Sequence, residues 1–389
     1  MKITYSAFLR DVFILAVSAF GGPQAHLALF FNVFVKKRKL LTEEDLIELN
    51  ALCQILPGPT STQTITAIGF KLGGPNLAYL TLLIWMIPAF TVMTFAAILI
   101  ANFQQNEVSL SFTKYIQPIA VGFVAHAAFI ITQKVIRSGT GLALAFGAII
   151  VSYFIRSPYI FPLLLIGGGA VTAFKFKKQP FQEKEPMHVN WSNFILWATI
   201  FISAAILGGI TQSLLVRLFE NFYRNGSLIF GGGQVLIPLL YTEFVEFKNY
   251  LTSEEFLSGF AIVQSVPGPT FSFSAYIGAL TAREYGVEYQ ILAGFFAAAG
   301  IFLPGTFFIY FVIRFWDELK KYRVVKASLE GVNAVSAGMV IAAVFLLFQP
   351  IENSLTNFVI VITTFGLLRL TIIPAPLIIL AGIIAGIFI

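Results

Sequence analysis

Four apolar stretches, Leu77 to Ala101, Ile116 to Thr132, Phe194 to Val216 and Ile291 to Ile313, come close to the ~20 residues with which a helix crosses the hydrocarbon of a bilayer. Only 11% of the residues are charged, against roughly 25% in soluble domains, so an ordinary globular protein is excluded. The sequence predicts an all-α polytopic membrane protein, multi-pass in the cell (plasma) membrane, with the lipid bilayer as its first partner. The net charge of +6 is read as basic residues in cytoplasmic loops rather than as a nucleic-acid surface. Lys2 and the run from Val12 to Phe20 resemble a signal peptide, but the region recurs later as part of a repeat and is expected to stay in the mature protein. One cysteine, Cys53, allows neither an internal disulfide nor a thiolate metal cluster.

The chain repeats itself. Phe20, Gly21, Gly22 and Gln24 return as Phe230, Gly231, Gly232 and Gln234, and Thr42 and Glu44 return as Thr252 and Glu254. Gln54, Pro57, Gly58, Pro59 and Thr60 return as Gln264, Pro267, Gly268, Pro269 and Thr270, every pair 210 apart. Gly122 and Gly338 match at an offset of 216, so a short insertion separates the later parts. The expected organisation is an N-terminal membrane repeat over 1–174, a polar linker with a connecting transmembrane helix over 175–216, and a C-terminal membrane repeat over 217–389. Charge placement orients the halves. Lys36, Lys37, Arg38 and Lys39 face only Lys248 at the equivalent place, whereas Arg314, Lys320, Lys321, Arg323 and Lys326 crowd a loop that is poor in basic residues in the first half. The two repeats are therefore read as inverted, with the extra apolar segment supplying the odd crossing, an arrangement that recurs in secondary transporters. A parallel duplication is the alternative.

Each half carries two interruptions, Gly21-Gly22-Pro23 and Pro57-Gly58-Pro59 in the first, Gly231-Gly232-Gly233 and Pro267-Gly268-Pro269 in the second. Proline removes a donor and pushes its predecessor toward extended backbone, so broken or re-entrant helices are predicted here. Such backbone survives at membrane depth only where protein or a watery cavity satisfies it. Helices restarting at Thr60 and Thr270 would present unpaired amides with about half a positive charge each, which suits an anion. Gln54, Thr60, Ser61, Thr62, Gln264, Thr270, Ser272 and Ser274 beside them can donate hydrogen bonds to oxyanion oxygens; helix capping is the competing role for any single hydroxyl, and the repetition of the Pro-Gly-Pro-Thr motif favours a site. Lys71 is set aside as a ligand, because eleven residues of helix place it roughly 16 Å beyond Thr60, near a helix end.

The stretches FGGPQAHLALF at 20–30, CQILPGPTSTQ at 53–63, FGGGQVLIPLL at 230–240 and VQSVPGPTFSFSAYIGA at 263–279 together resemble the chromate ion transporter family, in order and spacing across nearly the whole chain. The resemblance implies a long-chain, two-domain membrane protein that exports chromate, with sulfate and related oxyanions as competitors. The family's signature positions fall on Gly21, Gly22, Pro23 and His26, on Pro57, Gly58 and Pro59, on Gly231, Gly232 and Gly233, and on Pro267, Gly268 and Pro269. Leu40 and Tyr250 stand where the family often has tryptophan.

The site is accordingly expected to comprise these residues with Gln24, Gln234 and the polar side chains above, and to bind a small oxyanion, chromate or sulfate. A homodimer is left open. No cofactor and no metal are expected, since His26, His126 and His188 have no metal-ligand spacing. An anion channel is the main alternative, and a membrane-embedded enzyme a weaker one, there being no nucleophile-and-base motif. His26 has the apolar Leu236 as its counterpart, which makes it the candidate for coupling a proton to the anion. The competing reading is a neutral histidine bonded to a freed carbonyl.

Overall fold

A computed structural model of the chain describes residues 4–20, 22–106, 113–175, 189–230, 233, 235–319, 321–370 and 373–388. Gly21, Gly231, Gly232, Gln234, His188, the lysines at 176–178, Lys320 and the side chain of Gln24 lie outside them. The described elements are all helical. They run α1 (Tyr5–Ser18), α2 (Gly22–Phe30), α3 (Glu43–Ile55), α4 (Thr60–Gln105), α5 (Ile116–Val135), α6 (Gly139–Phe154), α7 (Ile160–Ala173), α8 (Ser192–Thr211), α9 (Leu214–Leu228), α10 (Leu236–Tyr241), α11 (Ser253–Gln264), α12 (Phe273–Thr281), α13 (Val287–Val312), α14 (Trp316–Leu319), α15 (Arg323–Phe348), α16 (Leu355–Arg369) and α17 (Ala375–Phe388). By length and composition α4, α5, α8, α13 and α15 can each cross a membrane. The apolar run expected as one helix over 194–216 is instead divided, because Gln212 turns left-handed at φ 54° and closes α8 before α9 begins.

The helices form two compact units, and neither unit is one half of the sequence. Unit one comprises Met1–Ser109, Trp191–Leu228 and Ile262–Ile313; unit two comprises Leu110–Asn190, Ile229–Ala261 and Arg314–Ile389. In unit one, α4 is the central helix, touched by α1, α2, α3, α12 and α13, while α13 also packs on α8 and α9. The α9–α13 contact is backbone against backbone: a Cβ on Gly226 would stand 2.5 Å from the Ile301 carbonyl. In unit two, α15 packs on α5, α6 and α7 through small residues, Gly331 lying on Gly168. Small residues at such crossings fit helix association in lipid, where van der Waals contact replaces the hydrophobic drive.

Two local devices recur at the same offset. The α2 helix runs into a π-helix at Phe31–Lys37 and α10 into one at Thr242–Phe247, and each is followed by a left-handed residue, Lys39 at φ 52° and Asn249 at φ 53°. A capping box then starts the next helix. Asp45 N–H donates to Thr42 Oγ1 at 3.1 Å while Thr42 N–H donates to Asp45 at 3.1 Å, and Thr252 and Glu255 make the same exchange at 3.1 and 2.8 Å.

The α3 helix stops where Leu56, ahead of Pro57, turns extended at ψ 149°. Helix resumes at Thr60 and breaks again inside α4 at Gly73 and Gly74, the latter at φ 71°, with Pro75 following. Lys71 therefore ends a short helix, as expected, and its ammonium donates to the Asp45 carboxylate at the start of α3. That hydrogen bond holds the Asp45 carboxyl below its usual range. The chain thus goes out along α3 and comes back along 60–72 to the place it left, a re-entrant hairpin with Pro57-Gly58-Pro59 at its tip.

Candidate functional site

Three of the four breaks belong to unit one, and the Ala19 carbonyl and the His26 ring link them. Ala19 closes α1, its N–H donating to the Leu15 carbonyl at 2.8 Å, and its own carbonyl accepts from Gly268 N–H at 2.9 Å. It also faces His26 Nε2 at 3.1 Å, while His26 Nδ1 lies 3.0 Å from Ser61 Oγ. A carbonyl only accepts, so Nε2 carries the proton and Nδ1 of the neutral ring accepts from the Ser61 hydroxyl. His26 is 1% exposed, held edge-on by Trp85 at 5.4 Å between ring centres.

The rest of the first turn of α4 is equally committed. Trp85 Nε1 donates to Thr62 Oγ1 at 3.1 Å, and Gln63 Nε2 donates to the Pro57 carbonyl at 2.6 Å and to the Gly305 carbonyl at 3.3 Å. Thr64 Oγ1 donates back to the Thr60 carbonyl at 2.8 Å. The backbone is the opposite case: the amides of Thr60, Ser61 and Thr62 have no acceptor among the described residues. At the second tip the amides of Thr270 and Phe271 are likewise without one, while Ser272 N–H donates to the Pro269 carbonyl at 2.9 Å. Residues 54–70 and 262–282 contain no charged side chain, so the positive ends of the helices set the local field.

Both tips owe their shape to glycine. Gly58 sits at φ 119° and Gly268 at φ 104°, conformations that only glycine holds without strain. Each is pressed on a helix from the other half. A Cβ on Gly58 would lie 3.3 Å from Gly305 Cα, and one on Gly268 would lie 3.1 Å from the Ala89 methyl. Pro88 and Pro304 match at the offset of 216, which makes Ala89 and Gly305 counterparts as well.

The structure places Gly22, Pro23, His26, Pro57 to Thr62 and Pro267 to Ser272 in unit one. Gly233, the one described glycine of the remaining break, belongs to unit two. Gln54 is exposed on α3 and Gln264 half-buried on α11; the side chain of neither has a hydrogen bond among the described residues. Sequence reasoning passed over Gln63, Trp85, Ala89 and Gly305. Gln63 adjoins the repeated motif, and the paired prolines at 88 and 304 were a readable sign that α4 and α13 correspond.

Such features define an all-α polytopic membrane protein with paired broken helices. The chromate transporter family profile matches residues 7–174 and again 216–387. The chain is 23% identical over 385 residues to a chromate transport protein of Cupriavidus metallidurans, covering 97% of this chain and 90% of the relative. It is 24% identical over 380 residues to a probable chromate transport protein of Synechococcus elongatus, covering 96% and 92%. An uncharacterized transporter of Methanocaldococcus jannaschii matches at 24% over 370 residues, covering 94% and 88%. No solved structure matches. The chain belongs to the chromate transporter family, and it is a membrane transporter.

Proposed function

We propose that the protein carries a small tetrahedral oxyanion, chromate or sulfate, out across the cell membrane, and that the anion binds at the Pro-Gly-Pro-Thr tips. The observation that carries this reading is the set of amides at Thr60, Ser61, Thr62, Thr270 and Phe271 that have no acceptor among the described residues, in one unit and at the positive ends of two helices. An oxyanion offers several acceptor oxygens and needs no buried counter-cation in such a place. The relatives named for chromate transport agree with it. The two matched segments are taken as inverted repeats, so that each tip enters from its own side.

Titrating the purified protein with sulfate and chromate tests the site. Thr60→Val and Thr270→Val, which remove one hydroxyl each, are expected to weaken binding by about 1.5–3 kcal/mol, roughly one to two decades in Kd, with the protein still folded in the membrane. Unchanged affinity in both variants and in the double variant moves the site elsewhere. A channel of the same binding chemistry is separated from a carrier by accumulation against a gradient in vesicles.

A further inference from the structure

We infer that the two tips divide the work unequally: the Ser272 hydroxyl at the second tip donates to the bound oxyanion, while Ser61, Thr62 and Gln63 at the first tip are scaffold. This deepens the oxyanion reading above and rests on it. The offset of 210 pairs His26 with Leu236, Ser61 with Phe271, Thr62 with Ser272 and Gln63 with Phe273, and the offset of 216 pairs Trp85 with Ile301. In the first half the side-chain donors are taken up: the Ser61 hydroxyl donates to His26, Trp85 donates to Thr62, and the Gln63 amide nitrogen clamps two carbonyls, leaving the Gln63 carbonyl oxygen, an acceptor, without a partner among the described residues. In the second half the partners have become apolar. Leu236 and Ile301 offer neither donor nor acceptor, so the hydroxyl corresponding to that of Thr62 has nothing to bond.

Ser272 is 1% exposed and its Oγ has no hydrogen-bond partner. It is the N-cap of α12, yet its side chain caps nothing. Phe271 and Phe273 on either side are 2% and 0% exposed, and the Ser274 hydroxyl is taken up by the Phe271 carbonyl at 2.8 Å. Of the two hydroxyls near this tip without a partner among the described residues, Ser265 and Ser272, the second directly follows the unaccepted amides of Thr270 and Phe271. Two amides that only donate, beside a hydroxyl free to donate, suit a ligand that only accepts, which a fully ionised oxyanion does. A buried hydroxyl left without a bond is destabilising, and a transporter keeps one where its cargo completes it.

The test measures equilibrium binding of labelled sulfate to the full-length protein in detergent, with chromate as competitor, and checks folding by thermal melting. Ser272→Ala is expected to raise the sulfate Kd about tenfold to a hundredfold. Ser272→Thr, which restores a hydroxyl, should return to within a few fold of the wild type. Ser272→Cys keeps the volume with a weaker donor and gives an intermediate Kd, which covers the case of an alanine variant that fails to fold. Ser274→Ala, with its hydroxyl already bonded to backbone, stays within about twofold. If the wild type binds sulfate and Ser272→Ala binds it equally well, the hydroxyl holds water at most and the inference falls while the oxyanion reading stands. If the wild type binds neither anion, the reading beneath it falls as well.

Discussion

His26 bridges two groups from different breaks, donating to the carbonyl of Ala19 at the end of α1 and accepting from the hydroxyl of Ser61 at the start of α4. Of the two roles read for it, the geometry favours the neutral pin, since both ring nitrogens already have partners. His26→Ala is then expected to cost about 1–3 kcal/mol, seen as a lower melting temperature, because the buried Ser61 hydroxyl loses its acceptor and the Ala19 carbonyl one of its two donors. His26→Gln, with an amide to donate, should recover part of the loss and keep the wild-type pH dependence of transport. A flattened pH profile in that variant would instead assign the coupling proton to this residue. His26 stood out in the sequence as a titratable group present in one half only. Its surroundings did not: Trp85 follows Thr62 by 23 residues and Gly305 follows Gln63 by 242, and periodicity says nothing of such distant pairings.

At the level of the element, the re-entrant hairpin depends on a backbone that no side chain tolerates well. Gly58→Ala forces alanine to φ 119° and sets its Cβ 2.9 Å from Gln63 Nε2 and 3.3 Å from Gly305. At Gly22, also at positive φ, an added Cβ meets nothing within 4 Å. Strain alone is worth on the order of 1–3 kcal/mol, so Gly58→Ala is expected to melt well below Gly22→Ala, which carries only the strain. Equal melting temperatures would mean that the tip yields to the added atom. The proline-bounded tips were legible because proline acts through its own ring on its own neighbours. The break at Gly73 and Gly74 was not read, although Pro75 and Asn76 follow it and Gly73-Gly74-Pro75 has the same composition as the break at Gly21-Gly22-Pro23; no copy of it stands 210 residues on, so the repeat does not mark it.

For the whole molecule, the orientation of the halves is the open quantity. With buried Cys53 replaced by serine, single cysteines at positions 37 and 248 are expected to react with an impermeant thiol reagent from opposite sides of the membrane, Lys37 being the cytoplasmic one. Labelling of both from one side removes the inverted arrangement. The duplication itself was plain from residues 210 apart, and the offset of 216 already announced the insertion. What could not be read was that the compact bodies cut across the halves. That follows from which helices pack together, and packing partners are chosen in three dimensions.

The contacts of Gly58 with Gly305 and of Gly268 with Ala89 carry one more consequence. Each half supplies the surface against which the other half's tip is shaped, so neither has a complete tip of its own. Split between 174 and 216 into two polypeptides, the protein would be a pair of obligate complements, each inert until it meets the other. Joined in one chain, the halves are mechanically tied, so that a change at 305 is felt at residue 58 and one at 89 is felt at 268.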